Sequence, residues 1–354
     1  MRPDNSLVEA SVAPYADLTP GVVLDALDGV GLRGDGRLIQ LNSYENRVFQ
    51  VFLESGRVVV AKFYRPGRWS DAQILEEHAF SIELAAAEIP VGAPLPLSVD
   101  SGSPHADEVA MAGPTLAIVG VPASGDYRFG VAERLAGRAP ELEDPEVLRW
   151  LGRYLGRMHA VGATGSFRER LTIDVATYGE GSRSFLLEQR LVSDDVAARW
   201  AALAAEALVV CQRAFEATTP RQLRLHGDFH PGNVLWTDAG PHFVDLDDAV
   251  TGPAVQDLWM LLSGDRASRS RQLLDVLDGY EAFMDFDWRE LRLVEPLRTL
   301  RMLHHSAWIA RRWSDPAFPI AFPWFASPAY WADQCTRLGE QLEAMAEPPL
   351  GSPD

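Results

Sequence analysis

Lysine is almost absent from this chain of 354 residues, since Lys62 is the only one among 32 lysine and arginine residues. Cysteine is nearly as scarce, with Cys211 and Cys335 alone. Two cysteines cannot form the multiple disulfides that stabilise small secreted domains, and neither lies in the spacing of a metal site. We therefore expect a protein of a reducing compartment, the cytoplasm.

Long apolar runs are also missing from the sequence, and basic residues are fewer than acidic ones. No uninterrupted apolar stretch approaches the roughly 18 residues that a membrane-spanning helix needs. Residues 1–20 lack the charged-then-apolar order of a signal peptide. With 50 acidic and 32 basic residues, the net charge is −18. Because nucleic acids and anionic membranes both attract clustered cations, the sequence predicts that the protein binds neither. We also expect a monomer.

The residues that are present have the composition of a globular protein, 47% hydrophobic and 23% charged. One stretch, residues 226–233, reads His-Gly-Asp-Phe-His-Pro-Gly-Asn. Apolar residues precede and follow it, which predicts a tight polar loop between two short buried strands. Such a loop is pinned at both ends and can hold side chains in fixed positions.

The spacing of Asp228 and Asn233 within this loop matches the catalytic loop of phosphoryl-transfer enzymes. There an Asp accepts the proton of the attacking hydroxyl, and an Asn five residues later helps to hold Mg²⁺. Asp-rich turns are common after strands, so the motif alone is also compatible with an ordinary turn. We expect His226 to support the loop by hydrogen bonding, and His230 either to support it or to contact substrate.

A second acidic motif follows at residues 243–248, where an apolar strand ends in Asp245, Asp247 and Asp248. Carboxylates in such a position are suitable oxygen ligands for a hard cation. The next predicted helix covers residues 252–262. It places Asp257 in its early turns, from which the carboxylate could anchor the backbone of the catalytic loop. The apolar pattern around His159 predicts a structural histidine.

The single lysine lies in a β-branched strand pattern, Val58–Phe63. We interpret Lys62 as a phosphate contact, because a compact ammonium is not interchangeable with guanidinium at a point-charge site. A chance position on a half-buried strand is the alternative. The following helix, predicted over residues 70–87, carries Glu76 and Glu77. One of them could pair with Lys62, and we favour Glu77; two solvated carboxylates remain possible.

Two backbone segments are candidates for the rest of a nucleotide site. Strand-like runs at residues 37–42 and 47–53 flank the turn that begins at Ser43, whose hydroxyl and backbone N–H groups could contact phosphates. No G-x-G-x-x-G sequence occurs there, so a plain hairpin is equally compatible. Further strands are predicted from residue 95 to residue 132. The backbone from Glu133 to Leu135 then forms a hinge that could meet an adenine edge, and helices follow from Asp144.

The C-terminal part mixes basic and aromatic side chains, which predicts a surface suited to a peptide or an anionic partner. The alternative is that most of the aromatic side chains belong to the core. The residues concerned are Arg298, Arg301, His304, His305, Trp308, Arg311, Arg312, Trp313, Phe318, Phe322, Trp324 and Phe325.

The loop at residues 226–233 resembles that of the aminoglycoside phosphotransferase and choline kinase superfamily. Within that superfamily, residues 41–48, 62–69, 243–249 and 252–262 resemble the RdoA-type stress response kinases, which are bacterial Ser/Thr protein kinases. The resemblance extends over roughly residues 20 to 340. It implies that Asp228 is the catalytic base, that Asn233 and Asp245 are Mg²⁺ ligands, that Lys62 is the phosphate cation, and that Ser43 contacts the nucleotide. The hinge region departs from the pattern, so the adenine contacts at Glu133 and Leu135 do not follow from it.

Together these observations predict an α+β, bilobal protein-kinase-like fold. The N-terminal nucleotide-binding lobe would have an antiparallel sheet and one helix over residues 1–133, and a mainly helical catalytic and substrate lobe would cover residues 134–354. The predicted function is an ATP- and Mg²⁺-dependent Ser/Thr protein kinase acting on a protein substrate in a stress response. A small-molecule kinase of the aminoglycoside, choline or homoserine type is the alternative, and a catalytically inactive nucleotide-binding module is the second alternative.

Overall fold

The structure, a computed structural model, describes residues 14–121 and 125–351. The first 13 residues of the predicted N-terminal lobe and the end of the C-terminal tail therefore lie outside the described residues. The chain divides into two compact units. One contains the chain up to Ser70 together with Leu95–Ala132 and Ser314–Ile320; the other contains Asp71–Pro94, Glu133–Trp313 and the chain from Ala321 onward.

Strands and helices are distributed as an α+β protein requires. The strands are β1 (Gly34–Leu41), β2 (Arg47–Leu53), β3 (Val58–Phe63), β4 (Val109–Met111), β5 (Ala117–Val121), β6 (Gly125–Glu133), β7 (Leu223–Leu225), β8 (Val234–Thr237), β9 (Gly240–Phe243) and β10 (Val250–Gly252). The helices are α1 (Pro20–Gly29), α2 (Asp71–Ala86), α3 (Pro145–Gly162), α4 (Gly181–Glu188), α5 (Ala197–Thr218), α6 (Val255–Trp259), α7 (Arg266–Tyr280), α8 (Val294–Arg311), α9 (Ala317–Ala321) and α10 (Pro328–Ala346). No helix among the described residues is long and apolar enough to cross a membrane.

The first unit is built on a six-stranded sheet with the order β1-β2-β3-β6-β5-β4. The pairs β1–β2, β2–β3, β4–β5 and β5–β6 are antiparallel. Residues alternate between a buried and a partly exposed face along β3, where Val59, Ala61 and Phe63 point into the core. Lys62 lies on the other face, opposite Val48 of β2. The alternation of β-branched residues thus predicts these strands correctly.

Helix α1 packs beside this sheet and begins as the sequence predicts. Thr19 accepts a hydrogen bond from the Val22 N–H, and Pro20 occupies the first turn, where its missing N–H has no cost. The strand predicted at residues 95–99 is wrong, because that segment makes isolated backbone bonds, such as Leu95 N–H to the Val131 carbonyl. Pro94 and Pro96 lack the N–H donors that a ladder needs.

The second unit is mainly helical. Its core includes Phe80, Leu84, Leu151, Leu155 and Tyr280, which are almost completely buried. Helices α3 and α7 approach very closely: a Cβ atom added to Gly152 would lie 2.0 Å from the Val276 carbonyl oxygen. Only glycine permits this contact between the two backbones.

Two expectations about helices in this unit are wrong in detail. The apolar spacing in the sequence groups Ile82 with Ile74, Ala79, Phe80 and Leu84 on one face of α2. Ile82 is nevertheless 42% exposed, because Ile74, Phe80 and Leu84 already form the buried stripe. The helix predicted over residues 252–262 is shorter and covers only Val255–Trp259. The preceding residues are used by β10, which pairs with β7.

Some of the aromatic residues near the C-terminus belong to the core. Phe318 is fully buried and Phe325 is 4% exposed, whereas Trp324 is 42% exposed. The predicted basic and aromatic surface therefore exists only in part.

Candidate active site

The loop at residues 226–233 is held between two small sheets. β7 before the loop pairs with β10, and β8 after it pairs with β9. Leu225, Phe229 and Val234 are buried at its two ends and in its middle. The predicted polar loop between two short buried strands is confirmed. Its backbone is fixed by the core on which it rests.

Asp257 anchors the first residues of this loop. Its carboxylate accepts hydrogen bonds from the His226 N–H at 2.9 Å and the Gly227 N–H at 2.8 Å. His159 Nε2 lies 3.2 Å from the same carboxylate, and the Tyr280 hydroxyl contacts His159 Nδ1 at 3.0 Å. Asp257 and His159 are completely buried, and a buried carboxylate is tolerated because its oxygens are bonded in this way. The predictions of an anchoring Asp257 and a structural His159 are confirmed.

Gly227 brings the catalytic loop against the acidic loop that follows β9. Its φ is +84°, and a Cβ atom there would lie 2.3 Å from the Asp248 carbonyl oxygen. Gln256 Nε2 donates to the Gly227 carbonyl at 2.9 Å. A residue with a side chain would suffer both an unfavourable φ and a clash. Glycine at this position is therefore a requirement of the local backbone.

Hydrogen bonds also join Asp228, Asn233 and the start of the acidic loop. The Val244 N–H donates to the Asn233 carbonyl at 3.1 Å, and His226 Nε2 contacts the Val244 carbonyl at 3.0 Å. Asn233 Nδ2 donates to the Asp228 carbonyl at 3.0 Å. These contacts place Asp245, the next residue along the chain, beside the catalytic loop. They also confirm that His226 supports the loop.

The side chains of Asn233 and Asp245 fit the requirements of a divalent cation. Because the amide nitrogen of Asn233 donates to Asp228, its Oδ1 oxygen is the atom left to accept a cation. Asp245 is exposed and adopts a left-handed backbone conformation with φ +63°. Such a conformation is unusual for a residue other than glycine and is enriched at functional sites. Amide and carboxylate oxygens are the ligands that Mg²⁺ and Ca²⁺ prefer.

Asp228 has two cationic or hydrogen-bonding neighbours. Arg301 Nη1 lies 2.7 Å from its Oδ1 atom, and His230 Nε2 lies 3.4 Å from Oδ2. The Gly232 N–H donates to His230 Nδ1 at 3.0 Å, so the neutral ring carries its hydrogen on Nε2, facing Asp228. Burial alone would raise the pKa of Asp228, but the His230 hydrogen bond and the Arg301 charge outweigh it and hold that pKa well below its ordinary value.

Glu76 and Glu77 of α2 differ in their surroundings. The Glu76 carboxylate accepts backbone hydrogen bonds from residues 168, 169 and 170, at 2.6, 2.9 and 2.9 Å. Arg170 in turn donates to the backbone carbonyls of Asp247 and Ala249. Glu76 is thus not a solvated carboxylate but part of the support of the acidic loop. Glu77 is buried, with its Oε1 atom accepting from the Ser81 hydroxyl at 2.8 Å.

Ser43 and Lys62 lie in the first unit, on the turn after β1 and on β3. The Ser43 hydroxyl accepts from the Asn46 N–H at 3.3 Å, and Lys62 is half-buried. Arg65 fixes this turn, because its guanidinium donates to the carbonyls of Glu45 and Tyr44 at 3.0 and 3.2 Å. The same guanidinium pairs with the carboxylates of Glu45 and Asp315 at 2.9 and 2.7 Å.

Glu133 and Leu135 lie in the second unit where β6 ends. Glu133 is exposed and Leu135 is half-buried. A Cβ atom built on Gly92 would be 3.8 Å from Leu135 Cδ1 and 3.9 Å from Val244 Cγ1, so Leu135 lies near the residue that precedes Asp245. The segment continues to Arg138, whose backbone pairs with that of Trp236 on β8.

Sequence reasoning did not assign roles to Arg65, Glu76, Arg170 or the Arg301 contact with Asp228. Arginine is the generic basic residue of this chain, so its pattern carries no local signal. Arg65 and Asp315 are 250 residues apart, and only the folded chain brings such pairs together.

Comparisons with known proteins agree with this geometry. Residues 37–294 match the profile of the phosphotransferase enzyme family, APH. Stress response kinase A of Escherichia coli (strain K12) is 43% identical over 346 residues, which cover 96% of this chain and 97% of that protein. Serine/threonine protein kinase RdoA of Salmonella typhimurium is 42% identical over 342 residues, covering 95% of this chain and 96% of that protein.

Solved structures show the same fold. An amicoumacin kinase in complex with AMP-PNP, Ca²⁺ and Ami has a TM-score of 0.69 at 19% identity, covering 94% of this chain and 95% of that one. A microcompartment-associated aminopropanol kinase has a TM-score of 0.68 at 17% identity, covering 92% and 98%. The predicted α+β kinase-like fold is confirmed.

Proposed function

The chain belongs to the phosphotransferase enzyme family, and from that premise we propose that it is an ATP- and Mg²⁺-dependent kinase that phosphorylates Ser or Thr hydroxyls of proteins. The observation that carries the proposal is the hydrogen-bonded pair of loops that holds Asp228, Asn233 and Asp245 together. The names of the relatives, stress response kinase and serine/threonine protein kinase, support a protein acceptor and a role in stress response. We further propose that it acts as a cytoplasmic monomer.

In the proposed mechanism, Asp228 orients the acceptor hydroxyl and takes its proton. A carboxylate with a depressed pKa is ionised throughout the physiological range but is a weak base. This suits phosphoryl transfer, because its loose transition state requires correct positioning of the acceptor hydroxyl more than its early deprotonation. Arg301 and His230 hold the two oxygens of Asp228, so the carboxylate has little freedom to rotate away.

The residues predicted to bind the nucleotide and its metal would have separate roles. Asn233 and Asp245 would hold the Mg²⁺, which when bound offsets the negative charge of the ATP phosphates. Lys62 would contact the phosphates and the turn at Ser43 would cover them. Of the two glutamates on α2, we assign the role in nucleotide binding to Glu77, because the carboxylate of Glu76 is engaged with residues 168–170. Backbone groups from Glu133 to Leu135 would meet the adenine.

The test is phosphoryl transfer from labelled ATP with Mg²⁺ to the enzyme itself and to generic proteins of different charge. We expect label on Ser or Thr. Asp228→Asn should retain ATP binding in isothermal titration, since the side chain keeps its shape, yet lose on the order of 10² or more in rate.

A small-molecule kinase is the second candidate, because a cavity of about 770 Å³ lies beside Arg301, within the roughly 300–1,000 Å³ typical of ligand sites. Absence of any protein labelling, together with rapid ATP turnover on adding an aminoglycoside, choline or homoserine, would favour this candidate. Binding of ATP with no transfer to any acceptor would instead favour an inactive module.

A further inference from the structure

The cavity beside Arg301 is rich in arginine, although the chain as a whole has a net charge of −18. Arg298, Arg301 and Arg337 line it, on helices α8 and α10. Asp333 is the only carboxylate among the described residues that line this cavity. Aromatic side chains, Trp324 among them, complete the wall. The side chains that line the cavity are therefore more basic than the chain as a whole.

Each of the three arginines has one carboxylate neighbour and donors to spare. Arg301 contacts Asp228 at 2.7 Å, Arg337 contacts Asp333 at 2.6 Å, and Arg298 lies 3.5 Å from Glu295. A guanidinium has five N–H donors in a planar fork, so one ion pair does not exhaust it. Burial lowers the pKa of Arg298, because burying the charged form costs free energy, although the Glu295 carboxylate opposes the shift. A further anion in the cavity would lessen that cost.

His305 adds a hydrogen-bonding group to this wall and no charge. Burial, with a contribution from Arg301, lowers its pKa to about 4. The imidazole is consequently neutral at physiological pH. The positive charge of the cavity therefore comes from guanidinium groups, which remain protonated at every pH of interest.

The cavity continues into a second one of about 740 Å³. Both are lined by Trp259, Arg298, Met302, Asp333 and Arg337, and the second adds one basic and one acidic residue, Arg269 and Glu340. Each alone is near the upper part of the size range for small ligands, roughly 300–1,000 Å³. Two adjoining spaces of this size suit a chain of several residues better than one compact metabolite.

Building on the proposed function, we propose that these adjoining cavities bind an acidic segment of the protein substrate, next to the Ser or Thr that is phosphorylated. Arg298, Arg301 and Arg337 would contact its carboxylates, while Trp324 and Trp259 pack against its apolar atoms. An acidic residue close to the acceptor hydroxyl would compete with Asp228 for Arg301. Recognition of the acidic segment would thereby release an oxygen of Asp228 to accept the hydroxyl hydrogen bond.

The test uses three matched Ser peptides whose flanking residues are acidic, amide or basic, with labelled ATP, Mg²⁺ and the full chain. We expect kcat/KM for the acidic peptide to exceed that for the basic peptide by about tenfold or more, as for partly exposed charge pairs. Arg337→Glu reverses the charge of the most accessible of the three arginines, whose side chain is 59% exposed. This variant should lower the ratio of kcat/KM for the acidic peptide to kcat/KM for the basic peptide by about tenfold.

The control is Arg289→Glu, which makes the same change in charge at a distant ion pair with Asp287, where the arginine side chain is 67% exposed. This control variant should have the same ratio of kcat/KM for the acidic and basic peptides as the parent protein. A gain of activity on the basic peptide in Arg337→Glu is a result that partial unfolding cannot produce.

The outcomes separate this inference from the proposed function. Equal labelling of all three peptides, or the same ratio in Arg337→Glu as in the parent, would overturn the acidic-segment proposal while leaving the protein kinase intact. No labelling of any peptide or protein, with turnover on a small hydroxyl compound, would overturn the protein kinase proposal itself.

Discussion

Replacing Arg301 by Met should raise the pKa of Asp228, which makes the Arg301 contact directly testable. The Nη1 atom lies 2.7 Å from Asp228 Oδ1, and the Arg301 side chain is 40% exposed. An arginine this close depresses an Asp pKa by about 1–3 units, and the exposure places the effect toward the lower end of that range because solvent screens the charge. When Arg301 is replaced, only His230 and more distant charges oppose burial, which raises the pKa of Asp228.

The assay is the pH dependence of phosphoryl transfer to the amide-flanked peptide, which has no carboxylate to occupy Arg301. In the parent, the acid limb that reports Asp228 should lie at very low pH. In Arg301→Met it should move upward by at least about one unit, toward the ordinary Asp pKa of about 4. Arg289→Met, at the distant exposed pair, should leave the profile unchanged. Profiles of parent and Arg301→Met that coincide down to the lowest pH at which both remain folded would refute the reasoning.

The same contact has a consequence for stability. Because the folded-state pKa of Asp228 is depressed, its stabilising effect is present above the unfolded-state pKa and is lost as pH falls through the folded-state value. Thermal unfolding of Arg301→Met and the parent should therefore differ near neutral pH. The difference should shrink as the solution is acidified below the ordinary Asp pKa.

Three further substitutions test the rest of the site. Asp245→Ala should abolish the Mg²⁺ dependence of ATP binding, measured by titration with and without the metal, since it removes the charged ligand proposed here; an unchanged Mg²⁺ response would place the metal elsewhere. Lys62→Arg should already lower kcat/KM, because a planar guanidinium cannot take the place of an ammonium at a phosphate site; unaltered kinetics would remove the argument from the single lysine. Asp257→Asn replaces one of two buried acceptors by a donor, and we expect a loss of about 1–3 kcal/mol in unfolding free energy together with a fall in kcat; a variant as stable and active as the parent would show that the anchor is dispensable.

The parts of this protein that the sequence predicts well are those encoded by local pattern. The alternation of Val58–Phe63 indicates β3, and Pro20 near the first helical position indicates the start of α1. The anchoring role of Asp257 is also predicted, because its position in the early turns of the helix after the acidic motif leaves its carboxylate close to the catalytic loop. In each case neighbouring residues in the chain contain the information.

The parts that the sequence does not predict depend on contacts between distant segments. Glu76 meets backbone N–H groups more than 90 residues later in the chain, and nothing in the neighbouring sequence indicates those partners. Ile82 has the hydrophobicity of a core residue, yet α2 turns it toward solvent. The segment at residues 95–99 has apolar alternation but lacks the donors for a ladder. Tertiary packing decides the first two cases, whereas Pro94 and Pro96 decide the third.

The shared fold does not identify the phosphate acceptor, whereas the charge of the site bears directly on it. The structures of amicoumacin and aminopropanol kinases are below 20% identical to this chain, and a shared fold does not determine a substrate. The charge of the cavity is a property of this chain itself. Aminopropanol and aminoglycosides carry cationic amines at neutral pH, and a wall containing Arg298, Arg301 and Arg337 would repel them. In the proposed complex, a hydroxyl with carboxylates nearby would meet the opposite field, and its carboxylate would draw Arg301 from Asp228 beside the bound hydroxyl. The arginine that, with His230, lowers the pKa of Asp228 would thus also select the acceptor.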